Sequence, residues 1–199
     1  VLTAEQLLRR HGVFAIEGDA FSRSALNRFL PMDEKRWRHA THAYMSAMAL
    51  LYGRVEMLDD VLAQRRFHGA NESIKASTNV GEIQRRLPCQ WDLPGVIAEH
   101  ARLIGLNLEA TEIPIRPGHH MRRCISWRLS PASHPFAEDG VARILWQGVK
   151  AIWHYPPYSY VKRFYSTLGF LAVGLLPKTW IRSRMGRYDV RKRVEREHG

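Results

Sequence analysis

"DEKRWRHATHAYMSAMALLYG", residues 33–53, carries the clearest structural signal in the chain. Asp33 is a helix-capping residue type, because a short carboxylate can accept from the free N–H groups of a first turn. From Trp37 the apolar positions recur as Trp37, Ala40, Tyr44, Met48 and Leu51, and Gly53 follows the last of them. Spacings of three and four residues place them on one helix face, and glycine is the usual stop. At about 100° per residue, Lys35, His39, His42 and Ser46 fall opposite that face. The pattern predicts an amphipathic helix with a core side and a polar, imidazole-rich side.

Upstream, residues 3–11 read as a short helix capped by Thr3, with Gln6 placed to complete a capping box and Gly12 to end it. Residues 13–16 form an apolar run of strand type, and Asp19 is a candidate N-cap for a helix over 20–29 that Pro31 terminates. Downstream, residues 54–58 and 61–67 read as two short strands around a turn at Asp59-Asp60. Asn71 or Ser73 then caps a helix near 74–87, and Pro94 opens another that runs to about Leu106. Residues 141–154 are helical, and no repeat or low-complexity tract interrupts the chain.

The 199 residues are 45% hydrophobic, an ordinary globular value that argues against a disordered chain. A formal charge of +11 and a pI of about 10.2 favour polyanionic partners: nucleic acid, anionic lipid or phosphorylated substrates. Cys89 and Cys124 have no metal-ligand spacing and read as two free thiols of a reducing compartment. The basic, amphipathic first ten residues do not read as a secretory signal. Zinc-finger spacing and the RNP and KH signatures are absent, which disfavours nucleic acid.

The C-terminal third changes character. No charged residue lies between Arg163 and Lys178, a stretch shorter than the roughly 20 apolar residues that a spanning helix needs. Lys162 and Arg163 bracket it on one side and Lys178, Arg182, Arg184 and Arg187 on the other, with Tyr158, Tyr160, Phe164, Tyr165 and Trp180 around it. Cations and aromatics around a short apolar helix suit a membrane interface, and a packed helix hairpin with a solvated basic tail is the competing reading.

The order of segments from 13 to 73 resembles the C-terminal half of the catalytic domain of family 2 glycosyltransferases. The matching pieces are Gly18, Phe21 and Arg23; then Gly53, Val55, Leu58, Asp59 and Leu62; then Arg66, His68, Gly69, Asn71 and Ser73. They cover about a third of the chain. The resemblance implies an α+β, helix-dominated fold: a partial GT-A-type α/β domain with two or three short strands over 1–75, a helical extension over 76–155, and membrane-proximal amphipathic helices over 156–199. It implies sugar transfer from a nucleotide-sugar to a cell-surface polysaccharide or lipid-linked acceptor at the cytoplasmic face of a cell membrane. His42 stands where that family commonly has its acidic catalytic base, and imidazole is suited to taking a proton near neutral pH. By the same resemblance Gly18 and Asp19 lie along the acceptor cleft, Arg23 and Asn71 bind substrate, and Arg66 and His68 clamp the diphosphate, with His68 a metal ligand.

The complete enzyme is expected to use Mg or Mn. The family's donor-binding half, with its Asp-x-Asp segment, has no counterpart in these 199 residues, so a partner chain carrying it is a further expectation. The alternative is a non-catalytic basic interaction module that binds anionic membrane or nucleic acid.

Overall fold

The computed structural model describes residues 3–12, 20–53 and 79–187. Every regular element among them is helical, and no strand is present there. This corrects the expected fold class: the described residues do not build a GT-A-like α/β domain with short strands. The physical reason is that their apolar side chains recur at helical spacing and bury against other helices, with no sheet to pack on. The three expected strand segments, 13–16, 54–58 and 61–67, lie outside the described residues.

The chain divides into two compact units. The first comprises Val1–Gln64, Cys89–Arg116 and Tyr155–Pro157; the second comprises Arg65–Pro88, Pro117–His154 and Tyr158–Gly199.

In the first unit, α1 (Ala4–His11) begins with a complete capping box: Gln6 N–H donates to Thr3 Oγ1 at 3.2 Å and Thr3 N–H to Gln6 Oε1 at 2.9 Å. Gly12 closes it at φ 63°, where a Cβ would meet the Pro114 carbonyl oxygen at 2.2 Å. That close approach and the left-handed backbone both require glycine. α2 (Arg23–Phe29) is capped by the Ser22 hydroxyl, three residues later than Asp19, the expected cap. α3 (Glu34–Trp37) is capped by Asp33, and α4 (Thr41–Tyr52) runs to Gly53. The stretch read as one helix is thus two, separated by residues 38–40.

Trp37, Tyr44, Met48 and Leu51 are buried as the spacing predicts. Ser46 is also buried, which corrects its assignment to a solvated face. Because Ala47 and Leu50 are buried too, the covered arc of α4 is wider than a single stripe. The Tyr44 hydroxyl donates to the Phe29 carbonyl at 3.1 Å, and the Trp37 and Tyr44 rings lie 5.1 Å apart.

A single helix, α5 (Val80–Leu103), replaces the two expected around Leu87 and Pro94. Its cap is Asn79, whose Oδ1 accepts from Glu82 N–H at 3.2 Å. Pro88 and Pro94 leave the carbonyls of Gln84 and Gln90 without their helical donors, at about 3 kcal/mol per proline. Burial of Leu93, Ile97 and Ala101 in the core of the first unit, and of Ile83 and Leu87, offsets this. A buried Leu or Ile contributes roughly 1.5–3 kcal/mol, so the tertiary term outweighs the local one.

In the second unit, α6 (Pro117–Leu129), α7 (Val141–His154) and α8 (Tyr160–Leu175) all pack on one another, and α9 (Lys178–Arg187) also touches α6. Two glycines permit the close approach of α7 and α8. A Cβ at Gly148 would lie 2.1 Å from Phe170 Cζ, and one at Gly174 would lie 2.3 Å from Leu145 Cδ2. Each helix therefore receives a large side chain of the other at its own glycine. None of the described helices is long and apolar enough to cross a membrane.

Candidate functional site

Of the candidate site residues, Arg23 and His42 fall within the described part; Gly18, Asp19, Arg66, His68 and Asn71 lie outside it. Arg23 is the first residue of α2 and is exposed. His42 is the second residue of α4 and is half-buried. The two helices pack together, and the contacts that join them gather at the far end of α2: Phe29 against Tyr44 and Tyr52, and Arg28 Nη1 donating to the Tyr52 carbonyl at 3.4 Å. Arg23 lies six residues from that junction, about 9 Å along the helix. The packing thus fixes the helix that carries His42 without itself closing Arg23 onto it.

Beside this junction, the Tyr52 hydroxyl and His100 Nδ1 are hydrogen-bonded at 2.8 Å, with the rings edge to face. Burial lowers the His100 pKa, with Glu99 opposing. A neutral ring with Nδ1 as acceptor suits a phenol donor.

The second unit holds a buried polar cluster that the sequence reading passed over. His134 Nε2 donates to Asp139 Oδ2 at 2.8 Å, and His134 Nδ1 and Ser126 Oγ are hydrogen-bonded at 2.8 Å. Arg123 reaches both Asp139 oxygens and donates to Gln147 Oε1 at 2.9 Å, while Trp127 Nε1 donates to the Asp139 carbonyl at 3.0 Å. The Arg123 guanidinium also lies over the Phe136 ring at 4.9 Å.

Ser, His and Asp in series is the composition of an acyl-transfer triad. This cluster does not work as one. Ser126 has no exposed surface, the Asp139 side chain has none either, and the Arg123 guanidinium already occupies both carboxylate oxygens. A substrate carbonyl has no route to the hydroxyl. The cluster instead ties the loop after α6 to α6 and α7, with each buried charge paired and hydrogen-bonded. Burial raises the Asp139 pKa, but the hydrogen bonds and charges of Arg123 and His134 outweigh it and hold the group below the usual carboxylate value.

His119, His120, Arg122 and Arg123 form a run of two imidazoles and two guanidiniums around Met121. They lie inside α6, where Arg123 turns inward and His120 is buried. Burial, reinforced by Arg123, lowers the His120 pKa to about 4, with Asp139 opposing. Burial also raises the Cys124 thiol to about 12. Among the described residues no group of three or more His, Cys, Asp or Glu side chains is arranged to hold a metal ion. Neither cysteine is in a disulfide, and both are buried.

No protein-family model, no curated protein and no solved structure matches this chain.

Proposed function

We propose that this protein takes part in glycosyl transfer from a nucleotide-sugar to a cell-surface polysaccharide or lipid-linked acceptor, working peripherally at the cytoplasmic face of a membrane. The observation that carries this reading is the ordered set from Gly18 through Arg23, His42 and Gly53 to Arg66-x-His68-Gly69-x-Asn71-x-Ser73. In this reading His42 takes the proton from the acceptor hydroxyl. Arg66 and His68 stabilise the departing diphosphate, and His68 would be the residue to hold Mg or Mn, which would supply further charge stabilisation when bound. Gly18 and Asp19 position the acceptor, and Arg23 and Asn71 bind substrate. The reading also requires a partner chain that carries the donor-binding half.

The test is transfer of labelled sugar from nucleoside-diphosphate sugars to lipid-linked acceptor by membranes containing the chain together with a partner chain that carries the donor-binding half, with Mg or Mn present. Transfer that needs the chain and is abolished by His42→Ala is the expected result. Transfer equal to that of membranes without the chain would remove the enzyme reading, and unchanged turnover in His42→Ala would remove His42 from the mechanism.

A non-catalytic membrane-binding module is the second reading. It is favoured by residues 140–188, which contain no Asp or Glu and eight Lys or Arg. It predicts membrane binding without transfer.

A further inference from the structure

We propose that one face of the α7–α8 helix pair is a docking surface for an anionic lipid bilayer. The proposal rests on the peripheral-membrane part of the reading above and is independent of sugar transfer.

The face is apolar, aromatic and exposed. On α7, Trp146 is 72% exposed and Trp153 42%. On α8, Val161, Phe164, Tyr165 and Leu168 are between 49% and 68% exposed, and Leu175 continues the row. Side chains of this size are rarely left in water as a group unless a partner covers them.

Helix geometry puts the two rows on the same side of the pair. Leu145 and Gly148 of α7 meet Gly174 and Phe170 of α8, which fixes the surfaces in contact. On α7, Gln147 accepts from Arg123 of α6 and marks one flank; Trp146 and Trp153, seven residues apart, lie on the other. On α8, Val173 is buried on one flank of the contact, and Val161, Phe164, Leu168 and Leu175 lie on the other. For antiparallel right-handed helices in mutual contact with α6, these outer flanks coincide. The sequence pattern had placed the membrane-proximal part at 156–199; the packing recruits the two tryptophans of α7 to it.

Charge selects the occupant. Arg143 and Lys150 are exposed on α7 beside the Trp146 and Trp153 flank, and no acidic residue occurs anywhere in 140–188. Cations beside an exposed aromatic row match a plane of phosphate headgroups above acyl chains, where rings and aliphatic stems enter the boundary and charges stay at the headgroups. The apolar row, about 24 Å long on α8, has no hydrogen-bonding edge with which to read nucleic acid bases. Sixteen residues are too few to span, so the helix lies in the interface.

Flotation of the whole protein with vesicles of phosphatidylcholine, with and without about one-quarter phosphatidylglycerol, tests this at ~0.1 M salt. The wild type is expected to partition roughly tenfold more strongly onto the anionic vesicles and to come off as salt screens the cations. Trp146→Ser/Phe164→Ser/Leu168→Ser should weaken partition at least tenfold with an unchanged circular dichroism spectrum. Leu103→Ser, at an exposed leucine of α5 in the first unit, should have no effect. Brominated acyl chains should quench wild-type tryptophan fluorescence and spare much of the signal of the triple variant. Flotation of the triple variant equal to wild type would overturn this face while leaving membrane association standing. Failure of the wild type to float on either vesicle, or displacement from vesicles by duplex DNA that binds equally well to the triple variant, would overturn the proposal. Failure of the wild type to float would overturn the peripheral reading with it.

Discussion

Gly148 of α7 lies directly beneath the ring of Phe170 of α8, so that a Cβ at 148 would stand 2.1 Å from Cζ and 2.3 Å from Cε1. Phe170 has no exposed surface and its ring has nowhere to retreat. Gly148→Ala should therefore destabilise the second unit by about 1–3 kcal/mol from overpacking, even though alanine is the better helix former by up to about 1 kcal/mol. Phe170→Leu combined with Gly148→Ala should cost less than the sum of the two single changes, because the smaller side chain vacates the space. Urea midpoints of the four proteins measure this, and strict additivity would show that the contact does not exist.

The Asp139 cluster makes a prediction about buried charge. Asp139→Asn leaves the Arg123 guanidinium, 4% exposed, without its counter-charge, a change that costs about 3–5 kcal/mol where a buried pair is broken. Arg123→Met/Asp139→Asn removes both charges and should recover part of that loss. A double variant as unstable as Asp139→Asn alone would mean that the guanidinium contributes more through Phe136 and Gln147 than through the carboxylate.

Stability should fall on mild acidification. His120 titrates at about 4 in the folded chain, below its ordinary value of 6.5. Between those values the unfolded state takes up more protons, so stability rises with pH through the window and is lost as pH falls from about 6.5 to 4. The full effect is on the order of 3 kcal/mol. His100, also lowered by burial, acts in the same direction. Asp139, held below 3.8, adds its loss only in stronger acid. Denaturant midpoints at pH 6.5, 5.5 and 4.5 should decline for the wild type and decline less for His120→Leu. Parallel lines would exclude His120 as the source.

The thiols should be silent in the folded protein. Cys124 is 1% exposed with its pKa raised to about 12, and the Cys89 thiol donates to the Arg36 carbonyl at 2.8 Å. An aromatic disulfide reagent at pH 8 should modify both at the rate of unfolding and both at once in denaturant. Rapid modification of Cys124 under native conditions would contradict its burial.

Local chemistry was legible in the chain. The Thr3/Gln6 capping box, the Gly12 stop, the Asp33 cap and the buried row Trp37, Tyr44, Met48 and Leu51 depend on neighbours within one or two turns, and so follow from spacing. Pro88 and Pro94 mark the limit of such reasoning. By local rules they end and begin helices, yet α5 passes through both, because the apolar surface it buries outweighs two missing hydrogen bonds. The cap of α2 is Ser22 and not Asp19, because several residues there have side chains able to cap and local spacing does not choose among them.

The sequence by itself determined the helix-forming segments of residues 3–11 and 141–154, the two free thiols and the cationic, aromatic-flanked C-terminal third. The burial of Ser46, the inward turn of Arg123 and the Ser126–His134–Asp139 series were decided only in three dimensions. So was the shared outer face of α7 and α8. The physical reason is common to all of them. A charge, a hydroxyl or a tryptophan is compatible with core and surface alike, and its place is set by partners distant in sequence: a carboxylate sixteen residues from its arginine, or a glycine twenty-two residues before the ring it admits.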